Sequence, residues 1–293
     1  MHRKTLIPWI FLAPALGTLL LFFFLPVAAS LVMSFTDFDI YAIGKLARVR
    51  FNGLENYRRL LEDPLFWKAL LNTAYFVFAG GPLTILVALL TAIGLNSRRL
   101  RLRPWFRLGY FIPVITSLVA VAVVWRYLYH PRFGLINYIL SMFHVGSINW
   151  LGDPQWAMPA IIILAVWKNF GYYMMIFLAG LQTIPDYLYE AARLDGANWW
   201  GQFRHVTLPQ LAPTTFFVTL MTLIGYFQLF AEPYVMTQGG PINSTLSVVF
   251  YLYQQGFRWW HMGYASAIAF MLFLIIFLLA MVQMLARKRQ EAA

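Results

Sequence analysis

Six long apolar runs divide the chain, with polar segments of unequal length between them. They lie near Trp9–Met33, Ala69–Leu95, Trp105–Tyr129, Ala157–Leu181, Ala212–Pro233 and Gly263–Leu285. A helix needs about 20 residues to cross the hydrocarbon core of a bilayer, so each run predicts one transmembrane helix. Pro14, Pro26, Pro82 and Pro113 fall in or beside these runs, where neighbouring helices can satisfy the freed backbone groups. No internal repeat, low-complexity tract or soluble domain-sized segment interrupts the pattern. It predicts an all-α integral membrane protein with six transmembrane helices in one domain over residues 1–293. The first run follows His2-Arg3-Lys4, and Ala28-Ala29-Ser30 near its end resembles a leader's cleavage site, but the run is much longer than a leader's apolar core. A retained anchor is expected.

The polar stretch over about 182–211 has a pattern of its own. Pro185 suits the first position of a helix, and Gly196 suits the left-handed residue that ends one. Between them Leu188, Ala191, Ala192 and Asp195 recur on one side. A second short helix is expected from Asn198 as N-cap, carrying Trp199, Phe203 and Val206 on one face and stopping before Pro209. Small and aromatic apolar groups without a core of their own mark either a partner site or a helical hairpin lying on the membrane surface.

Composition agrees with the pattern: 61% of residues are apolar and 11% charged. With the N-terminus inside, eleven arginines and lysines fall in cytoplasmic segments (Arg3, Lys4, Arg98, Arg99, Arg101, Arg103, Arg193, Arg204, Arg287, Lys288, Arg289). Seven fall outside (Lys45, Arg48, Arg50, Arg58, Arg59, Arg132, Arg258), five of them in the long first outer loop. The shorter loops obey the positive-inside rule, which predicts both termini in the cytoplasm and the 182–211 stretch with them. The net charge of +11 is spread over loops flanking the membrane, which fits anionic lipid contact and not nucleic acid. Zero cysteines exclude disulfides and thiolate metal sites, and the five histidines are scattered, so no metal site is expected. No phosphate-binding G-x-x-x-x-G-K-[ST] loop occurs, so the energy source must be a partner or an ion gradient.

Glu190-Ala191-Ala192, Gly196 and Val206-Thr207-Leu208-Pro209 resemble the EAA-x3-G-x9-I-x-L-P signature of membrane subunits in binding-protein-dependent ATP-binding-cassette importers. Val206 stands where that signature has isoleucine. Asn52-Gly53-Leu54-Glu55-Asn56-Tyr57, then Asp63-Pro64, Phe66-Trp67 and Asn72-Thr73, are similar to the first outer loop and second helix of carbohydrate permeases of this superfamily. So are Thr237-Gln238-Gly239-Gly240-Pro241, Ser244-Thr245 and Gly263-Tyr264-Ala265-Ser266-Ala267. The glycerol-phosphate and oligosaccharide group, including maltose-type permeases, is the class resembled. The resemblance implies a type I importer permease fold in the inner membrane and a transport subunit without enzyme activity. It implies a second, similar permease, two ATPase subunits that hold the ATP-Mg, and an external sugar-binding protein. It also implies ATPase docking by Glu190, Ala191, Ala192, Asp195, Gly196, Leu208 and Pro209. Asn52, Gly53, Asn56, Tyr57, Gly239, Gly240 and Pro241 would meet the binding protein, with packing over the outer mouth an equal alternative. This chain then carries no cofactor of its own.

Polar groups deep in a membrane helix default to function or to pairing. The fourth run holds Trp167, Lys168, Asn169, Tyr172 and Tyr173 near its midpoint; the fifth holds Tyr226, Gln228 and, near its outer end, Glu232. Sugars expose C–H faces and dense hydroxyls, so aromatic planes beside amides suit them. Trp167, Lys168, Asn169, Tyr172, Tyr173, Tyr226 and Gln228 are therefore the candidate substrate path, against the plainer reading of helix–helix bonding and packing. Lys168 could meet an anionic substrate, pair with a carboxylate, or bond backbone carbonyls. Two other functions remain open: an ion-coupled secondary transporter, and an importer of a sugar phosphate such as glycerol-3-phosphate.

Overall fold

The computed structural model describes residues 3–42, 49–97 and 101–292; Lys45, Arg48, Arg98 and Arg99 of the charge count lie outside the described residues. Sixteen α-helices follow one another among the described residues, which hold no strand. They are α1 (Arg3–Leu19), α2 (Leu25–Ser34), α3 (Glu55–Glu62), α4 (Pro64–Tyr75), α5 (Gly81–Asn96), α6 (Arg103–Ile115), α7 (Leu118–Leu128) and α8 (Leu135–Met142). Then come α9 (Pro154–Gln182), α10 (Asp186–Leu194), α11 (Trp199–Gln202), α12 (Leu208–Gln210), α13 (Ala212–Phe227), α14 (Ala231–Met236), α15 (Val248–Tyr253) and α16 (Met262–Ala292). Five stretches are long and apolar enough to cross a membrane: Phe11–Ser34, Pro64–Asn96, Pro154–Gln182, Ala212–Met236 and Met262–Lys288.

The sixth expected span is not one straight helix. α6 and α7 meet at a bend of 98°. Thr116 and Ser117 between them are extended, with ψ of 151° and 125°. The count of six therefore holds only when the bent pair is taken as one span.

The prolines are absorbed in a recurring way. Five-residue turns of i→i+5 type at Leu20–Phe24, Phe76–Gly80 and Phe203–Thr207 run directly into α2, α5 and α12. Each of those helices carries a proline, Pro26, Pro82 or Pro209, in its first two positions. A wider turn skips one hydrogen bond, so the missing proline N–H falls where no partner is needed. For the same reason the loop helix does not stop before Pro209 as expected, but passes through it to Gln210.

Two compact units are present, Met1–Trp67 with Tyr251–Ile275 and Lys68–Phe250 with Ile276–Ala293. In the first, Asn56 is buried and its amide donates to the Ser34 and Thr36 carbonyls at 2.9 and 2.8 Å. The Tyr57 hydroxyl lies 2.8 Å from Ser34 Oγ. This corrects one expectation: Asn56 is turned inward to hold its loop and is not presented to a partner. Gly263 permits a close approach, since a Cβ there would sit 2.3 Å from the Thr36 carbonyl oxygen. Asp63 accepts hydrogen bonds from the Tyr251 and Tyr264 hydroxyls. Burial pushes its carboxyl up, but these two donors and the amides of Leu65 and Phe66 outweigh that and hold it below its ordinary value.

The core of the second unit sets Ala88, Ala92 and Leu95 of α5 against Phe170, Met174, Phe177 and Leu181 of α9. Small residues four apart let the two helices approach closely, as membrane helix pairs require.

Candidate functional site

The long helix α9 positions most of the site. Its Asp153 N-cap accepts from the Gln155 amide at 2.8 Å. Tyr173 on α9 and Tyr226 at the end of α13 are both buried. α13 stops at Phe227, and the chain runs through Gln228–Phe230 before α14 begins. Around this interruption Asn169, Tyr173, Tyr226 and Gln228 line a cavity of about 320 Å³ together with Phe76, Phe230 and Glu232. The Tyr226 hydroxyl lies 2.6 Å from Thr84 Oγ1, and its ring packs 4.8 Å from Phe76. The Asn169 amide donates to the Ala165 carbonyl at 2.9 Å, and its side chain also interacts with Tyr226. Aromatic faces and hydrogen-bonding groups thus converge on one space, as small-molecule sites require.

Four of the seven candidate path residues meet there and three do not. Tyr172 is exposed, and Trp167 packs at a tilt against Trp125, ring centroids 5.4 Å apart. Lys168 is buried, and its ammonium donates to the carbonyls of Pro113, Val114 and Thr116 at 2.6, 3.1 and 2.9 Å. Of its three possible partners the structure selects backbone carbonyls, those orphaned where α6 ends. Glu232 is buried beside the cavity and within electrostatic reach of that ammonium. As the one carboxylate inside the five apolar spans it was visible in the sequence. Phe76 and Phe230 carried no such signal, since nothing distinguishes them from other apolar positions in their runs.

The 182–211 stretch folds much as its pattern suggests. Pro185 is the N-cap of α10, so the helix begins at Asp186, one residue later than expected, and Gly196 has φ +81°. The Ala197 amide donates to the Ala192 carbonyl at 2.8 Å and the Gly196 amide to the Arg193 carbonyl at 3.1 Å. That pair of bonds is a Schellman stop, which favours glycine because its φ is positive. The Asn198 side chain caps α11 by accepting from the Gly201 amide at 2.9 Å. Leu188, Tyr189 and Val206 pack against the α5–α9 core, and Tyr189 and Thr207 link the two short helices at 3.0 Å. Glu190, Ala191, Asp195, Gly196, Leu208 and Pro209 remain exposed, and Ala192 is half-buried. The stretch therefore shows a mixed surface, with Tyr187, Leu194, Trp199 and Trp200 exposed beside its polar and small residues, on a base packed against the core.

The turn at Gly239-Gly240-Pro241 is held by Asn72-Thr73. The Asn72 amide donates to the Asn243 and Leu246 carbonyls at 2.7 and 3.0 Å, and Thr73 Oγ1 accepts from the Val248 amide at 3.0 Å. Gly239 has φ +84°. Two segments far apart in sequence are thus one structural feature.

The profile of the family described as "Binding-protein-dependent transport system inner membrane component" matches residues 67–291. The lactose transport system permease protein LacF of Rhizobium radiobacter is 37% identical over 97% of this chain and 94% of its own. The arabinooligosaccharides transport system permease protein AraP of Bacillus subtilis is 36% identical over 97% of this chain and 89% of its own. Among solved structures, a bacterial transporter that imports the acidic polysaccharide alginate matches with TM-score 0.82 at 21% identity, covering 98% of this chain and 96% of that one. That likeness shows the fold. With the family profile covering the cavity, the capped loop and all but the first of the apolar spans, this chain belongs to the inner membrane components of binding-protein-dependent transport systems: a multi-pass transport subunit and not an enzyme.

Proposed function

We propose that this subunit carries a neutral sugar or oligosaccharide through the cavity between α9 and the α13–α14 interruption. The observation that carries the reading is the convergence of Asn169, Tyr173, Tyr226 and Gln228 with aromatic rings in one 320 Å³ space. Relatives named for lactose and arabinooligosaccharides support a sugar. A sugar phosphate is disfavoured, because Glu232 lines the cavity, no arginine or lysine among the described residues does, and the Lys168 ammonium already donates three hydrogen bonds. Cells with the complete transporter should take up labelled lactose or arabino-oligosaccharides, and cells lacking this subunit should not. Asn169→Ala and Gln228→Ala should each lower uptake about five- to tenfold, the equivalent of one lost hydrogen bond, with normal membrane insertion. Parental uptake in both variants would move the site elsewhere.

In this reading both termini face the cytoplasm, a second, similar permease completes the pathway, and two ATPase subunits dock on the 182–211 stretch. ATP-driven closure of the ATPases would then push through α10 and the Leu188–Val206 base into the α5–α9 core. A Cβ at Gly196 would meet nothing within 4 Å, so a substitution there acts through the left-handed backbone, costing about 1–2 kcal/mol. The double variant Gly196→Trp, Glu190→Lys should insert normally yet lose ATPase copurification and uptake; retained copurification would reject the docking surface. The external binding protein would meet the turn at Gly239-Gly240-Pro241 and the loop at Asn52-Gly53. An insertion at Gly240 should abolish stimulation of the ATPase by loaded binding protein, and undiminished stimulation would take the turn out of that contact.

A further inference from the structure

The first turns of α6 carry a basic and aromatic side that the transport pathway does not use. Arg103, Phe106, Arg107 and Tyr110 are spaced three and four apart and share that side. Arg103 reaches back to the end of α5, where its guanidinium donates to the Ser97 carbonyl. The Nε atoms of Arg103 and Arg107 are both buried and have no hydrogen-bond partner among the described residues. Alongside, Leu90, Thr91, Gly94 and Leu95 of α5 and Phe106 and Tyr110 of α6 line an apolar cavity of about 390 Å³. A Cβ added at Gly94 would meet nothing within 4 Å, so the space extends to the α5 backbone. No aspartate or glutamate occurs between Asp63 and Asp153, so neither α5 nor α6 carries a carboxylate of its own.

Phe106 and Tyr110 line this groove, and Arg103 and Arg107 stand three residues before them on the same side of α6, a combination that suits an amphiphile. Guanidinium binds phosphate oxygens in a bidentate manner and is less strongly hydrated than ammonium, which suits the membrane interface. We propose that this groove is a specific site for an anionic phospholipid, its phosphodiester held by Arg103 and Arg107 and one acyl chain lying against Gly94, Phe106 and Tyr110. The orientation argued above places it in the cytoplasmic leaflet, but the site stands on its own geometry.

The test uses the full-length protein, delipidated in detergent and titrated with phosphatidylglycerol or phosphatidylcholine, with bound lipid counted by native mass spectrometry. One phosphatidylglycerol should be retained in preference to phosphatidylcholine. Arg103→Gln with Arg107→Gln should weaken it about thirtyfold, roughly fivefold for each charge near the surface. Gly94→Leu, which favours the helix and fills the groove, should also displace the lipid while the arginines remain. Equal retention of both lipids, unchanged binding in Gly94→Leu, or full competition by millimolar inorganic phosphate would each overturn the proposal. Uptake is not part of the readout, so failure here leaves the transport reading standing.

Discussion

Replacing Gly171 with alanine is expected to disrupt the packing of α6 on α9 severely. A Cβ at this position would lie 2.0 Å from the Tyr110 carbonyl oxygen and 2.9 Å from its carbon. Both sides of the clash are backbone, so neither can rotate away, and α6 must separate from α9. Overpacking costs about 1–3 kcal/mol where side chains can adjust, and the upper end or beyond is expected where they cannot. Separation would also draw the α6 carbonyls away from Lys168, one turn earlier on the same side of α9. Gly109→Ala on α6 is the control, since its Cβ would meet nothing within 4 Å. It should leave stability unchanged or raise it by about 1 kcal/mol, the helix preference for alanine over glycine. Thermal unfolding of the detergent-purified variants measures both, and equal midpoints for Gly171→Ala and Gly109→Ala would refute the close-approach argument.

Lys168→Met should be nearly as damaging, for an electrostatic reason. The last carbonyls of a helix have no partner within it, and lipid offers no water to supply one. At the end of α6 the Lys168 ammonium supplies three donors; Thr116 Oγ1 also reaches the Pro113 carbonyl, at 2.7 Å, so that oxygen keeps a partner when the lysine is lost. The Val114 and Thr116 carbonyls would be orphaned, at about 1–3 kcal/mol each, and Glu232 would lose its nearby positive charge. Lys168→Gln keeps two N–H donors and should recover part of the loss. The order expected in thermal midpoint is parent, then Gln, then Met, with uptake following it. If Gln and Met unfold together at the parental temperature, the lysine does not hold the 98° bend. A role in binding substrate alone predicts the opposite pattern, with uptake lost and stability unchanged.

Features that depend on near neighbours along the chain or on the solvent were legible in the residues alone. Run length against bilayer thickness gave the spans, because twenty apolar residues have few other stable environments. The capping of the 182–211 stretch was readable because Asn198 and Gly196 act within four or five residues along the chain. Tertiary structure alone decided what depends on which surfaces meet. The third run looks like any other span until α9 brings Lys168 and Gly171 against the end of α6, making a sharp bend tolerable inside a membrane. Asn56 reads as a loop residue until Ser34 and Thr36 offer it two carbonyls. Asn72-Thr73 and Gly239-Gly240-Pro241 are separate motifs until hydrogen bonds across more than 170 residues join them. The division of Trp167–Tyr173 into cavity wall, helix cap and outer surface follows from the roughly 100° step between adjacent residues. Composition lists those residues together, and only the neighbours of α9 decide which way each one faces.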